Sequence, residues 1–135
     1  MPQSLPLLKL HHLAVTTKDR DQSVAFYRDI LGFREVERPG FNFQGAWMVA
    51  YGMQIHIIQS ENAAGPVDSY IDSRANHTAF AVEDSSTVTD ILDEHGIVYR
   101  QQVNAGGIHQ TFFQDPDGHH IEVAVYPPNP PFIEE

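Results

Sequence analysis

Apolar and polar residues alternate with a period of two in several short stretches of the chain, and recur every three to four residues in two others. In DPDGHHIEVAV (115–125) a turn sequence leads into such an alternation. Pro fixes φ in the turn and Gly is free to take positive φ. Ile121, Val123 and Val125 then share one face, and His120, Glu122 and Ala124 the other. Strands are predicted at about 33–38, 45–51 and 53–59, and again at about 97–103, 108–114 and 119–126. Helical stripes run through DQSVAFYRDILG (Val24, Tyr27 and Leu31, with Phe26 and Ile30 beside them) and DSSTVTDILDEHG (Val88, Ile91, Leu92). Asp, Asn or Ser before each stripe can cap it, and Gly32 and Gly96 can end it.

The two sets of elements form a repeat. HLAVTTKD (12–19) matches HTAFAVED (77–84), and each half reads β-α-β-β-β. His56 follows His12 by 44 residues, and Glu122 follows His77 by 45. The repeat therefore sets His12 against His77 and His56 against Glu122. By strand parity His12 shares its face with Ala14 and Thr16, His77 with Ala79 and Ala81, and Glu122 with Ala124. Small residues beside polar ones leave room for a metal and a substrate, while the larger residues face helices. His56 fits less well, because Gln54 and Ile58 share its face. His120 lies on the face of Glu122, and it, His109 and Thr16 are candidates to support the ligands from behind or to line the pocket. His11 is expected on the face opposite His12, His95 at a helix C-terminus, and His119 exposed after the turn. Phe41, Phe43, Trp47 and Tyr51 can line a pocket or pack in the core.

Composition narrows the chemistry. The 135 residues suggest one domain, module one at about 8–60, a linker at about 61–74, module two at about 75–126 and a Pro-rich tail at 127–135. There is no cysteine, so thiolate chemistry and disulfides are excluded. With eight histidines, a transition metal would be held by imidazole and carboxylate. The formal net charge of −10 argues against nucleic acid, although a local basic patch for a small anion stays open. No stretch has the roughly 20 apolar residues of a membrane span. The apolar start is too short and Pro-broken for a signal peptide, so a cytoplasmic protein is expected.

On HHLAVTTKDRDQSVAFYRDILGF (11–33), NHTAFAVED (76–84) and DPDGHHIEV (115–123), the chain resembles the vicinal oxygen chelate superfamily. That group includes glyoxalase I, extradiol dioxygenases, fosfomycin thiol transferases and bleomycin-resistance proteins. The resemblance implies an α+β fold of paired βαβββ modules in an open, mostly antiparallel eight-stranded barrel. It implies one divalent metal per site, Zn, Ni, Mn or Fe, with His12, His77 and Glu122 at the widely shared ligand positions. His56 falls where glyoxalase I has a carboxylate or an epimerase has Gln. In such isomerases a metal-bound carboxylate moves a proton, and here only Glu122 could do so among the four.

A glyoxalase-I-like isomerase acting on an α-carbonyl small molecule or thiol adduct is the leading expectation. Thr16 stands where glutathione-using members commonly carry Arg, which points to another thiol adduct or an oxo-acid. An extradiol-type dioxygenase or fosfomycin-type thiol transferase would need only three ligands. A drug-binding protein of the bleomycin-resistance kind suits the acidic charge, but those members lack the ligands. A homodimer is expected, and the linker is long enough for sites within one chain or between two. We favour the second, with His12 and His56 of one subunit meeting the other's His77 and Glu122.

Overall fold

The structure, a computed structural model, describes residues 2–63 and 70–127. The first module runs β1 (Leu13–Thr17), α1 (Arg20–Asp29), β2 (Arg34–Val36), β3 (Gly45–Ala50) and β4 (Met53–Gln59). The second runs β5 (His77–Ala81), α2 (Val88–Glu94), β6 (Tyr99–Val103), β7 (His109–Gln114) and β8 (His120–Ala124). Each module makes one mixed four-stranded sheet, ordered β1-β4-β3-β2 and β5-β8-β7-β6. In each, the outer β1–β4 or β5–β8 pair is parallel and the remaining pairs are antiparallel.

The helices begin and end where side chains can satisfy their ends. Asp19 accepts from the Gln22 N–H at the start of α1. Asp84 accepts from the Ser86 N–H, but a 3₁₀ turn at Ser85–Thr87 precedes α2. Ser and Thr compete with the backbone for hydrogen bonds and make poor helix interiors, which shortens α2 to Val88–Glu94. Gly32 and Gly96 both take positive φ where the chain leaves its helix.

The expected eight-stranded barrel is not closed within the chain: the strands remain two separate sheets. The modules meet through apolar side chains instead. Val24, Phe26 and Tyr27 of α1 and Met48, Ile55 and Ile57 of the first sheet form one buried cluster with Leu92, Phe113, Ile121 and Val123 of the second module. Polar contacts lock the same junction. Tyr27 donates to Asp115 at 2.8 Å, the Lys18 N–H to Asp117 at 2.9 Å, and His119 Nε2 lies 2.8 Å from the Thr16 carbonyl. His119 is thus half-buried between the modules rather than exposed. Val125, expected on the core face, lies past the end of β8 and is 43% exposed. No helix among the described residues is long and apolar enough to cross a membrane. Most of the Pro-rich tail, residues 128–135, lies outside the described residues.

Candidate functional site

The sheet registers reproduce the repeat residue by residue. Ala14 lies opposite His56 across β1 and β4, and Ala79 opposite Glu122 across β5 and β8. These alanines follow His12 and His77 by two positions, so each histidine enters its sheet one step before its partner's row. On the other side of each row stands an aromatic residue, Trp47 opposite His56 and Phe112 opposite Glu122. On β1 and β5 the small residues Ala14, Thr16, Ala79 and Ala81 are exposed, as parity predicts. Ala124 on β8 is instead fully buried.

In the second module, His77 Nε2 lies 3.2 Å from Glu122 Oε1. His77 Nδ1 lies 2.7 Å from the Ala75 carbonyl oxygen, which must accept a proton from it. In the neutral ring Nε2 is then a lone pair aimed at a carboxylate oxygen. Two such acceptors stand that close only with a proton or a cation between them. Two donors each about 2.1 Å from one metal ion are roughly 3 Å apart, so this pair fits a transition metal. Glu122 is only 4% exposed, and its other oxygen, Oε2, accepts a hydrogen bond from the Tyr126 hydroxyl. Burial first, then Glu122, pushes the Tyr126 phenol far above its usual range, so it remains a donor.

In the first module, the rings of His12 and His56 stack at 3.9 Å and 13°. Trp47 stacks on the other face of His56 at 4.6 Å. Parallel rings hold their lone pairs in parallel planes, so holding one ion together would require a turn of at least one ring about its side-chain torsions. His12 Nδ1 is 2.9 Å from His11 Nδ1, and His56 Nε2 is 3.0 Å from Gln54 Oε1. His11 therefore touches His12, against the parity expectation, because both residues precede β1 and strand alternation does not govern them. Burial, with the neighbouring His12 and His11, holds the His56 imidazole below its usual value and favours its neutral form.

Among the described residues, no three or more His, Asp or Glu side chains come together in a group that could hold a metal ion. His12 with His56 and His77 with Glu122 are two separate pairs. The wall beside the first pair is aromatic. Phe41 tilts against Trp47 at 6.2 Å and stacks on Phe43 at 5.2 Å, and the Arg38 guanidinium lies over both Phe rings. Tyr51 stands apart from this wall, largely exposed, with edge-on contacts to Phe33 and Phe80. Thr16 offers its carbonyl to His119 and shares the exposed face of β1.

The remaining histidines divide. His120 pairs with His77 in register, but its ring is occupied: Nδ1 lies 3.1 Å from the Gly118 carbonyl, and Nε2 accepts the Asp72 N–H at 3.0 Å. His109 lies three residues from Phe112 and so on the opposite face of β7 from the row of Glu122, exposed beside Val103. Tyr126 was not singled out by the sequence pattern, since it follows the last strand and its place in the first module is taken by Ser60.

Two cavities accompany these pairs. One of about 550 Å³ lies between the modules on the helix side, lined by apolar residues including Leu31, Met53, Phe80 and Leu92. The other, about 590 Å³, lies under the β3–β4 turn beside the first pair and is bordered by Lys9, His11, Arg34 and Gln54.

A family model described as Glyoxalase/Bleomycin resistance protein/Dioxygenase superfamily matches residues 9–123. The chain is 40% identical over 124 residues to the protein named Glyoxylase I 4 of Arabidopsis thaliana, covering 88% of this chain and 71% of the relative. It is 35% identical to a protein of Synechocystis sp. named "Probable lactoylglutathione lyase", covering 84% of this chain and 92% of that one. Among solved structures, a glyoxalase family protein from Enterococcus faecalis superimposes with a TM-score of 0.68 at 30% identity, covering 86% of this chain and 96% of the other.

Proposed function

Because the chain belongs to the glyoxalase/bleomycin resistance protein/dioxygenase superfamily, we propose that it is a divalent-metal-dependent glyoxalase-I-like isomerase acting on an α-carbonyl small molecule. The chain is an enzyme of glyoxalase type, as its relatives' names indicate. The observation that carries the reading is the His77–Glu122 pair, an imidazole nitrogen and a carboxylate oxygen 3.2 Å apart, with His77 held from behind by the Ala75 carbonyl. His12, His56, His77 and Glu122 would hold the ion, Zn, Ni, Mn or Fe, with the first two contributed by a second copy of the chain. When bound, such an ion would supply Lewis acidity to the substrate's oxygens.

The chain's own groups do the rest. Glu122 takes the proton from the hydroxyl-bearing carbon beside the carbonyl and returns it to the carbonyl carbon, while the hydroxyl proton passes to the former carbonyl oxygen, so that the net change is an isomerisation. Tyr126 holds Oε2 of Glu122 and fixes the carboxylate's orientation during the transfer. The Trp47, Phe41 and Phe43 wall excludes water from one side of the substrate. Closing the sheets of two copies around the pairs would complete the eight-stranded barrel that one chain leaves open.

The test is turnover of thiol–α-oxoaldehyde adducts by metal-loaded protein in deuterium oxide. Isomerisation with solvent deuterium at the carbon next to the carbonyl is expected, with low activity on the glutathione–methylglyoxal adduct because Thr16 replaces a cation. One observation favours a second reading: His56 Nε2 already faces Gln54, which suits a three-ligand site. Oxygen uptake on catechols with Fe²⁺, without isomerisation, would select that extradiol-type chemistry.

A further inference from the structure

The cavity of about 590 Å³ under the β3–β4 turn is lined by Lys9, His11 and Arg34 and, among the described residues, by no carboxylate. That is unusual in a chain with 18 acidic and eight basic residues. Elsewhere Arg20 is engaged with Asp21 and Glu35, Arg28 with Asp29, Arg38 with the Phe43 carbonyl, and Arg100 with the Ile71 carbonyl, whereas Arg74, outside this cavity's lining, donates to Asp72 through its backbone N–H. Lys9 and Arg34 form no side-chain hydrogen bond or ion pair among the described residues. Among the described residues no carboxylate pairs with either charge.

The cavity also adjoins the proposed reaction centre. His11 in its wall lies 2.9 Å from His12, and Gln54 lies 3.0 Å from His56. In the sheet, Arg34 is aligned with Val49 and Gln54, while the next row on the same face is Val36, Trp47 and His56. Alternate residues of a strand are about 7 Å apart along its length, a span that a small molecule bridges. The rest of the cavity wall is backbone and apolar carbon, with Leu10, Val49 and Tyr51 among the lining residues. A cation pair in a concave, mostly uncharged wall attracts an anion more strongly than the same charges on an open surface.

We infer that this cavity is an anion subsite, in which Lys9 and Arg34 bind a carboxylate or phosphate of the substrate remote from its reacting α-carbonyl. Resting on the isomerase reading above, the inference makes the substrate an acidic α-carbonyl compound or thiol adduct. Arg34 supplies a planar fork matched to two oxygens, and Lys9 a mobile point charge at the mouth. Recognition of the acid is thereby separate from the metal, which needs only the two oxygens at the reacting end.

The inference is tested by equilibrium binding, so it does not depend on turnover. The probes are the thioether S-acetonyl-3-mercaptopropionate, its neutral primary amide, and the phosphate monoester of S-acetonyl-2-mercaptoethanol with its neutral alcohol. Each is titrated calorimetrically into the metal-loaded protein and into the K9Q/R34Q double variant. Both replaced side chains are exposed, and melting curves check that the variant is folded. Each acid is expected to bind about tenfold tighter than its neutral partner to the natural protein, with the advantage shrinking at high salt. The advantage should fall to about onefold in the double variant. The acid with the larger advantage, carboxylate or phosphate, identifies the group the pocket takes. Equal affinity for acid and neutral partner in both pairs would overturn the inference, as would an acid preference that survives K9Q/R34Q. Failure of isomerisation with the acid preference intact would instead count against the proposed reaction and leave the subsite standing.

Discussion

Glu122 is held from two sides, with one oxygen at His77 and the other at the Tyr126 hydroxyl. A ligand carboxylate fixed in this way loses less freedom when it binds an ion, and groups that orient ligands commonly contribute about 10–100-fold in metal affinity. Tyr126→Phe removes the donor and keeps the ring. We expect it to weaken Zn²⁺ binding at least about tenfold in competition with a chromophoric chelator, with little change in melting temperature. Unchanged affinity would remove Tyr126 from any part in the site. The residues themselves were unevenly readable from sequence. His77 and Glu122 stood out because the repeat placed them beside His12 and His56 and parity gave them a face of small neighbours. Tyr126 gave no signal, because it lies beyond the last strand, where neither repeat nor alternation applies. His11 was misplaced for the same physical reason at the other end: β1 begins at Leu13, so the pleat does not set His11 and His12 apart.

At the scale of elements, the turn at 115–118 does more than connect β7 to β8. Asp115 accepts the Asp117 and His119 N–H groups with one oxygen and the Tyr27 hydroxyl with the other, so a turn of the second module is tied to α1 of the first. Burial raises the Asp115 pKa above the ordinary carboxylate value, and His119 and these hydrogen bonds offset it only in part. A carboxyl whose folded value is raised binds its proton more tightly in the native state. Its contribution is therefore complete below about pH 4 and is lost as pH rises through the folded value. Asp115→Asn cannot titrate. The stability of the natural protein relative to Asp115→Asn should fall as pH rises from about 4 toward 7, read as the difference in urea midpoints. A difference constant across that range would contradict the shift. The strands and α1 were readable in the sequence because period and capping agree there. The 3₁₀ entry to α2 was less so, since Ser85, Ser86 and Thr87 fit the helical pattern but not the helical backbone. The role of the turn as a junction was not readable, because a local sequence does not say which distant helix it will touch.

For the whole molecule, two modules of the same topology pack their apolar faces into a shared core and keep the two side-chain pairs apart. His12 with His56 and His77 with Glu122 are each half of the expected set. The repeat predicted the equivalence of the two pairs but not how the sheets would meet. That depends on the packing of α1, Phe113 and Phe80, which no local period encodes. The proposed site is completed by a second copy of the chain, as a symmetric dimer with two such sites would provide. The most direct measurement mixes His12→Ala protein with Glu122→Ala protein, confirms subunit exchange by native mass spectrometry, and counts bound metal. Each homodimer lacks one ligand at every site and should bind little. A mixed dimer has one site missing both residues and one intact. Equimolar random exchange should therefore restore metal to about a quarter of natural occupancy. A mixture that exchanges subunits and stays as metal-poor as its parents would contradict the shared site and assign all four ligands to a single chain.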